Sequence, residues 1–458
     1  MVAVRQRRSL HIAWLGPVPV EDAGVLGVAT DLLDGLGRLG HRIDCFFPGS
    51  QRELPVGLCN REELTFTWAG TRWQWDQWYS RHALSKFVTR LGSQAKAFIR
   101  LRSAVERRHA EDPFDLIYQF SNIETLGVPR TVGKSVPLVI HPETHVAGEL
   151  RWFIAERKLG RRCQRWYQLV VVGVVFVLRA AVQRVSIQRA TLVICISSVF
   201  RDHLVKDYRF RRNATEVIPN PVRLARFGDY RASIGSPPTI LVLGRIALRK
   251  GIDQVIELSH VLRARGVDVQ IRIVGSGSLW SDYRPLLRDI DPTNTTYVGS
   301  VPVDMIPSEL CDADILIQAS KYEPFGLTVA EALAAGMPVI ATPEVGAIEG
   351  ASRLSAIIAP VSDPEALADA VETMLERLRA DAPGVRQAAR ADAERLFSPD
   401  VVCQRISDAL EGLVASSQAG VCHNPQSGVT AGRMGSHHDG LNYAVSSDCH
   451  QGSKHPPA

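Results

Sequence analysis

Glu323 and Glu331 stand eight positions apart in the stretch EPFGLTVAE, with a Pro-Phe-Gly bend between them and an alanine-rich run behind. Carboxylates accept pairs of vicinal hydroxyls, and the bend decides what lies between these two. Pro324 and Gly326 turn the chain so that a helix begins near Leu327. The N–H groups of Gly326, Leu327 and Thr328 at that helix start lack intrahelical partners, and the helix dipole favours a phosphate there. Glu323 precedes the bend and Glu331 follows about one turn into the helix, so both flank one pocket. One acid suits a sugar and the other a ribose, with a diphosphate between them on the backbone. The plainer alternative makes Glu331 a first-turn acid complementing the dipole and Glu323 a loop charge.

The elements that must position these residues read as strand-helix alternation. LHIAWLG (10–16), the helically spaced VATDLLDGLGRLGH and then RIDCFFPG form a β-loop-α-β opening, which implies a parallel sheet. Further strands are expected at 114–120, 136–142 and 190–197, with 215–222 closing the first half. The Pro/Gly/Ser-rich segment 227–238 reads as a linker. The alternation then restarts with TILVLGR, GIDQVIELSHVLRARG and VQIRIVGSG, followed by TTYVGSV, ADILIQAS, MPVIATP and SAIIAPV. Helices are expected at 327–335, 363–380 and 398–414. The fold class is therefore α/β, with two facing doubly wound domains. Their expected spans are 1–225 and 226–397, with a C-terminal helix at 398–415 returning to the first domain and a disordered tail at 416–458.

Open parallel sheets bind ligands outside the carboxyl ends of their strands. After TILVLG come Arg245 and, five residues on, Lys250, cations suited to a diphosphate. After IRIV comes Gly275-Ser276-Gly277, where backbone can approach a ligand closely. Gly299 ends TTYVG, and EPFG follows ADILIQAS. Each feature alone is weak, since GxG pairs are often simple turns. Four at successive strand ends point to one crevice.

The composition fits this reading. A chain of 458 residues with 45% hydrophobic and 22% charged residues can bury large cores. Its net charge of +5 is too mild and too spread for a nucleic-acid partner. Eight scattered cysteines without a CxxC favour reduced thiols and a reducing, cytoplasmic setting. The basic N-terminus carries too short an apolar run for a signal peptide and reads as a tail before the first strand.

Several stretches closely resemble the retaining nucleotide-sugar glycosyltransferases of the group 1 class, family GT4, which have the two-Rossmann GT-B fold. They are VIPNPVRLARF, LVLGRIALRKGIDQVIE, IRIVGSGS, YVGSV, DADILIQASKYEPFGLTVAEALAAGMPVIAT and GAIEG. The resemblance implies that Glu323 contacts donor-sugar hydroxyls, that Phe325, Gly326, Leu327 and Thr328 cradle sugar and phosphate, and that Glu331 binds ribose. Arg245 and Lys250 would stabilise the diphosphate leaving group, with Gly275, Gly277 and Gly299 in the donor site. It further implies a UDP-, GDP- or ADP-sugar donor, retention of configuration, no cofactor and no obligatory metal. The acceptor, a lipid-linked or soluble glycan, is not specified. A sugar-nucleotide epimerase or hydrolase on the same fold and a catalytically silent sugar-nucleotide-binding scaffold are the competing readings. In the first half the loop GPVPVEDAGVLG offers Gly24 and Gly27 near the diphosphate, though relatives often have adjacent glycines. His141 or His145, in VIHPETH, matches a histidine that faces sugar or acceptor.

Region 159–184 is the most individual. Ten apolar residues, 169–178, lie between Arg165 and Arg179, too few to span a bilayer. A buried helix is the expectation. The alternative is an interfacial helix that makes the protein peripheral at the inner face of a membrane through 161–189. The aromatic stretch 68–79 lines an acceptor site, touches membrane or covers the core as a loop.

Overall fold

The computed structural model describes residues 8–21, 24–71, 87–121, 128–129, 132–228, 231, 233–278 and 280–421. The proposed tail beyond 421 and most of the aromatic stretch (72–79) lie outside the described residues.

Two parallel sheets organise the chain. The first contains β1 (His11–Leu15), β2 (Arg42–Phe47), β3 (Leu64–Trp68), β4 (Leu116–Phe120), β5 (Leu138–His141), β6 (Leu192–Cys195) and β7 (Thr215–Val217), in the order β3-β2-β1-β4-β5-β6-β7. The second contains β8 (Thr239–Leu243), β9 (Gln270–Val274), β10 (Thr295–Gly299), β11 (Ile315–Gln318), β12 (Val339–Ala341) and β13 (Ala356–Ile358), in the order β10-β9-β8-β11-β12-β13. Both orders reverse direction beside the first strand of their sheet, the switch point at which such sheets bind ligands. Strands β1, β4 and β5 are buried throughout, which is why they read as continuous apolar runs rather than alternating ones.

The helices of the first half are α1 (Val25–Arg38), α2 (Val56–Cys59), α3 (Phe87–Glu111), α4 (Val132–Ser135), α5 (Val146–Ala155), α6 (Arg157–Cys163), α7 (Trp166–Ile187) and α8 (Ser198–Tyr208). Those that follow are α9 (Ile252–Ala264), α10 (Ile306–Asp312), α11 (Leu327–Ala334), α12 (Pro364–Phe397) and α13 (Pro399–Val421). Helix α12 outruns its expected end because it is two helices across a kink. Asp381 leaves helical geometry (φ −156°, ψ 76°) just before Pro383, and its carboxylate accepts from the Gly384 N–H at 2.9 Å to start the second half. Helix α13 packs Val402, Ile406 and Leu410 into the core of the first sheet beside Leu32 and Leu36. A β-carbon on Gly35 would fall 2.3 Å from the Cys403 sulfur, so glycine is what lets α1 approach α13. This helix runs past the expected boundary at residue 415.

The expectation of a buried helix in 159–184 is corrected. α7 is 22 residues long and buries one face only. Val172, Phe176, Gln183 and Ile187 face inward, while Trp166, Val170, Val174 and Val185 are exposed.

Side chains tie the two sheets' halves together. Glu349, after β12, caps α8 by accepting from the N–H groups of Ser198 and Val199, both at 2.9 Å. Ser197 donates to the Pro324 carbonyl at 2.7 Å.

Candidate active site

A cleft of about 560 Å³ opens between the carboxyl ends of the two sheets. Arg245 and Lys250 come to it from the loop after β8, and Glu323, Phe325, Gly326, Leu327 and Thr328 from the loop after β11. Sequence separation had left these two groups about 70 residues apart; parallel pairing of β8 with β11 makes them neighbours.

The loop carrying Glu323 is clamped on the far side by the turn after β12. Glu323 N–H donates to Glu344 O at 2.9 Å, and Ala347 N–H to Phe325 O at 2.7 Å. Gly326 caps α11 with φ +96°, a left-handed geometry that glycine adopts without strain, and no side chain caps that first turn. Helix α9 begins directly after Lys250, with its own first turn outside the cleft lining. Its cap, Gly251, has φ +70°, and a β-carbon there would fall 1.9 Å from Ala319 O. The N-terminus of α11 thus joins the cations at one strand-end crevice, the geometry that attracts phosphate.

Glu323 is the electrostatic centre. Its carboxylate accepts from Lys250 Nζ and, at 3.1 Å, from Arg249 Nη1. Burial pushes the carboxyl up, but Lys250, Arg249 and Arg245 outweigh it and hold Glu323 at about 2. Burial lowers the Lys250 ammonium despite the pull of Glu323, because Arg249 and Arg245 add repulsion. Three cations around one carboxylate fix Glu323 as ionised.

Arg249 was not anticipated from the sequence, where it read as the unremarked neighbour of Lys250. Besides Glu323, it donates to the Tyr322 carbonyl at 2.7 Å and to Glu149 on α5 at 3.1 Å. Its backbone sits at φ +61°, and its N–H donates to Glu156 at 3.0 Å. Glu149 and Glu143 line the cleft from the first half and were also missed.

The remaining candidates divide. Glu331, Gly24 and Gly27 line a smaller groove next to the cleft, together with Asp31, Arg223 and Arg226. Arg226 approaches Glu331 at 3.9 Å, and Arg223 holds Asp31 at 2.6 Å. Gly24 also borders the main cleft. Gly275, by contrast, is pressed against strand-end backbone: its β-carbon would fall 1.7 Å from Gly244 O. Gly277 packs on Asp282, and Gly299 accepts from the Gly275 N–H at 2.7 Å. These glycines shape the floor that Gly244, Ser278 and Ser281 present to the cleft.

His141 lies behind the cleft wall rather than in it. It is fully buried, with Nδ1 bonded to the Tyr118 hydroxyl at 2.7 Å. Glu143, two residues on, reaches the cleft instead. Its Oε2 accepts from Asn220 at 2.7 Å, and burial raises its carboxyl to about 8. His141 Nε2 stands 3.5 Å from Glu143 Oε1, and Asn220 Oδ1 beside them is buried with no hydrogen-bond partner among the described residues. His145 is bonded to the Tyr322 hydroxyl at 2.9 Å, and burial lowers it to about 3. It joins the two halves, and its Nε2 lies 3.2 Å from Asp207 Oδ2. Among the described residues no group of three or more His, Cys, Asp or Glu is placed to hold a metal.

Comparison with known proteins bears on the family and the fold. Residues 230–389 match the family model described as "Glycosyl transferases group 1", and residues 23–226 match "Glycosyltransferase Family 4". Alpha-D-kanosaminyltransferase of Streptomyces kanamyceticus is 26% identical over 252 residues, covering 50% of this chain and 62% of that protein. A GDP-mannose-dependent alpha-(1-6)-phosphatidylinositol monomannoside mannosyltransferase of Mycobacterium tuberculosis is 29% identical over 204 residues, covering 42% and 52%. The chain spans about half the length of the curated relatives it matches. Among solved structures, sucrose-phosphate synthase from Thermosynechococcus elongatus superposes with a TM-score of 0.62 at 18% identity, over 89% of this chain and 100% of that one, which shows the shared two-sheet GT-B fold.

Proposed function

The chain belongs to the group 1 glycosyltransferases of family GT4, and from that premise we propose that it transfers a hexosyl-type sugar from a nucleotide-sugar donor to an acceptor hydroxyl with retention of configuration. The observation that carries this reading is the cation–carboxylate cluster of Lys250, Arg249, Arg245 and Glu323 beside the N-terminus of α11.

In this reading the diphosphate lies against Arg245, Lys250 and the first turn of α11. Positive charge already fixed at that place stabilises the charge that develops as the anomeric C–O bond breaks. These cations take the electrostatic role that a metal would otherwise fill, so no obligatory metal is needed. Glu323 holds the sugar's hydroxyls, and Glu331 in the adjoining groove holds the ribose. A carboxylate already bound by an ammonium and a guanidinium is a weak nucleophile, which favours attack on the same face that the phosphate leaves. The acceptor oxygen then bonds to the anomeric carbon while its proton passes to the departing phosphate oxygen. The setting is cytoplasmic. The mannosyltransferase relative names GDP-mannose as its donor, and UDP-, GDP- and ADP-sugars are the candidates here.

Proton NMR of the anomeric coupling in the first-formed product tests the stereochemistry. Retained configuration supports the proposal, and inversion rules out same-face transfer.

A further inference from the structure

The outer face of α7 is largely apolar, with Arg184 in its last turn. Trp166, Val170, Val174, Leu178, Val182 and Val185 recur at three- to four-residue steps and are 44–71% exposed. That stripe is about 28 Å long at the rise of an α-helix. An apolar stripe of this size facing water marks a contact surface rather than a finished exterior.

Its surroundings are mainly basic. Between Glu156 and Asp202 the sequence has nine Arg or Lys and no Asp or Glu. Arg157, Lys158, Arg161 and Arg162 are exposed on α6, and Arg165 and Arg184 on α7 or at its head. From a neighbouring element, Asp289 faces this group and pairs with Arg162 at 2.9 Å. Aromatic Trp166 and Tyr167 sit at the basic end, also exposed.

By length and composition α7 could cross a membrane. Its inner face argues for lying flat. Gln183 donates to Thr144 O at 2.6 Å and accepts from the Val146 N–H at 2.8 Å, and Phe176 packs edge-on to Phe153 at 5.6 Å. A helix held to the protein along one side by buried polar bonds offers lipid only the other side.

We propose that α7 docks the protein on an anionic lipid bilayer, with its apolar stripe at the boundary of headgroups and acyl chains and the arginines on anionic headgroups. The same helix borders the cleft from its inner side through Phe176 and Arg179, whose guanidinium lies 5.0 Å over the Trp280 ring. Resting on the transferase reading, this assigns the acceptor class: a hydroxyl on a lipid-anchored molecule, delivered from the surface on which α7 sits.

The test is flotation of the full chain with vesicles of phosphatidylglycerol mixed into phosphatidylcholine, against phosphatidylcholine alone. The wild type is expected to float with the anionic vesicles and to detach at high salt. Val174→Glu/Val177→Glu is expected to lose partitioning by roughly tenfold or more, with unchanged circular dichroism and unchanged nucleotide release from donor in vesicle-free buffer. Arg161→Gln/Arg184→Gln is expected to lose the preference for anionic lipid. Failure of the wild type to float, or flotation of the valine variant at the wild-type level, overturns the proposal. So does a vesicle-free dimer that the valine substitutions dissociate, because a second copy then covers the stripe. Flotation without nucleotide release from any donor overturns the transferase reading and its acceptor class while the docking stands.

Discussion

Arg249 Nη2 lies 3.1 Å from Glu149 Oε1, joining the strand-end loop of the second sheet to helix α5 of the first. The same guanidinium reaches Glu323 at 3.1 Å, so one side chain ties the cleft's central carboxylate to the opposite wall. Arg249→Ala leaves Glu149 and Glu323 less compensated in a largely buried place. It should cost about 3 kcal/mol of stability, the lower end for removing one partner of a buried pair. It should also lower kcat/KM more than Glu149→Gln does. Thermal unfolding and steady-state kinetics of the two variants check this; equal, negligible effects would remove Arg249 from the site.

Lys250→Ala and Glu323→Ala should each reduce turnover by roughly 10²–10³-fold, the scale for removing one preorganised charge. Both should keep the wild-type circular dichroism, since the two sheets' cores lie away from these side chains. Near-normal turnover in both variants would contradict the assigned roles.

Two titrating groups give stability opposite pH slopes. Burial raises Glu143 from 4.5 to about 8. The folded state therefore binds a proton that the unfolded chain has released, and stability falls as pH rises from 4.5 to 8. Burial lowers His145 from 6.5 to about 3. Its contribution is complete above 6.5 and is lost as pH falls toward 3. Glu143→Gln should flatten the upper slope, and His145→Asn should reduce the lower one, to which His141, lowered by burial to about 3, also contributes. Denaturation midpoints across that range read both, and slopes unchanged from wild type would show that these groups do not titrate as assigned.

Gly251→Ala places a methyl 1.9 Å from Ala319 O in a left-handed backbone. The backbone term alone costs roughly 1–2 kcal/mol, and relief of the clash must move Lys250. The variant should lose activity out of proportion to its stability, which paired kinetics and thermal scans would show.

Most of the fold was legible because both halves alternate buried apolar runs with helical spacing, and the EPFG bend announced its own helix start. What escaped was set by contacts far apart in sequence. Glu149 and Glu143 look like ordinary charges of a helix and a loop until β5 and β11 bring them to one cleft. Arg249 was masked by Lys250, because its role depends on a backbone turn at φ +61° that no residue type announces. Helix α7 was misjudged because its valines occupy both faces, so periodicity could not say which face the protein covers. His141 was placed at the right strand end, but on the strand face that points to Tyr118. Strand β3 and helix α3 gave no signal strong enough to name.

The most direct measurement is a donor screen: purified full-length chain with UDP-, GDP- and ADP-sugars, with and without EDTA, following released nucleotide. Release from one donor, unaffected by EDTA and lost in Lys250→Ala, is the predicted result. Release that requires a divalent metal, or none from any donor with or without added lipid, would contradict a cation-driven transferase site in this cleft.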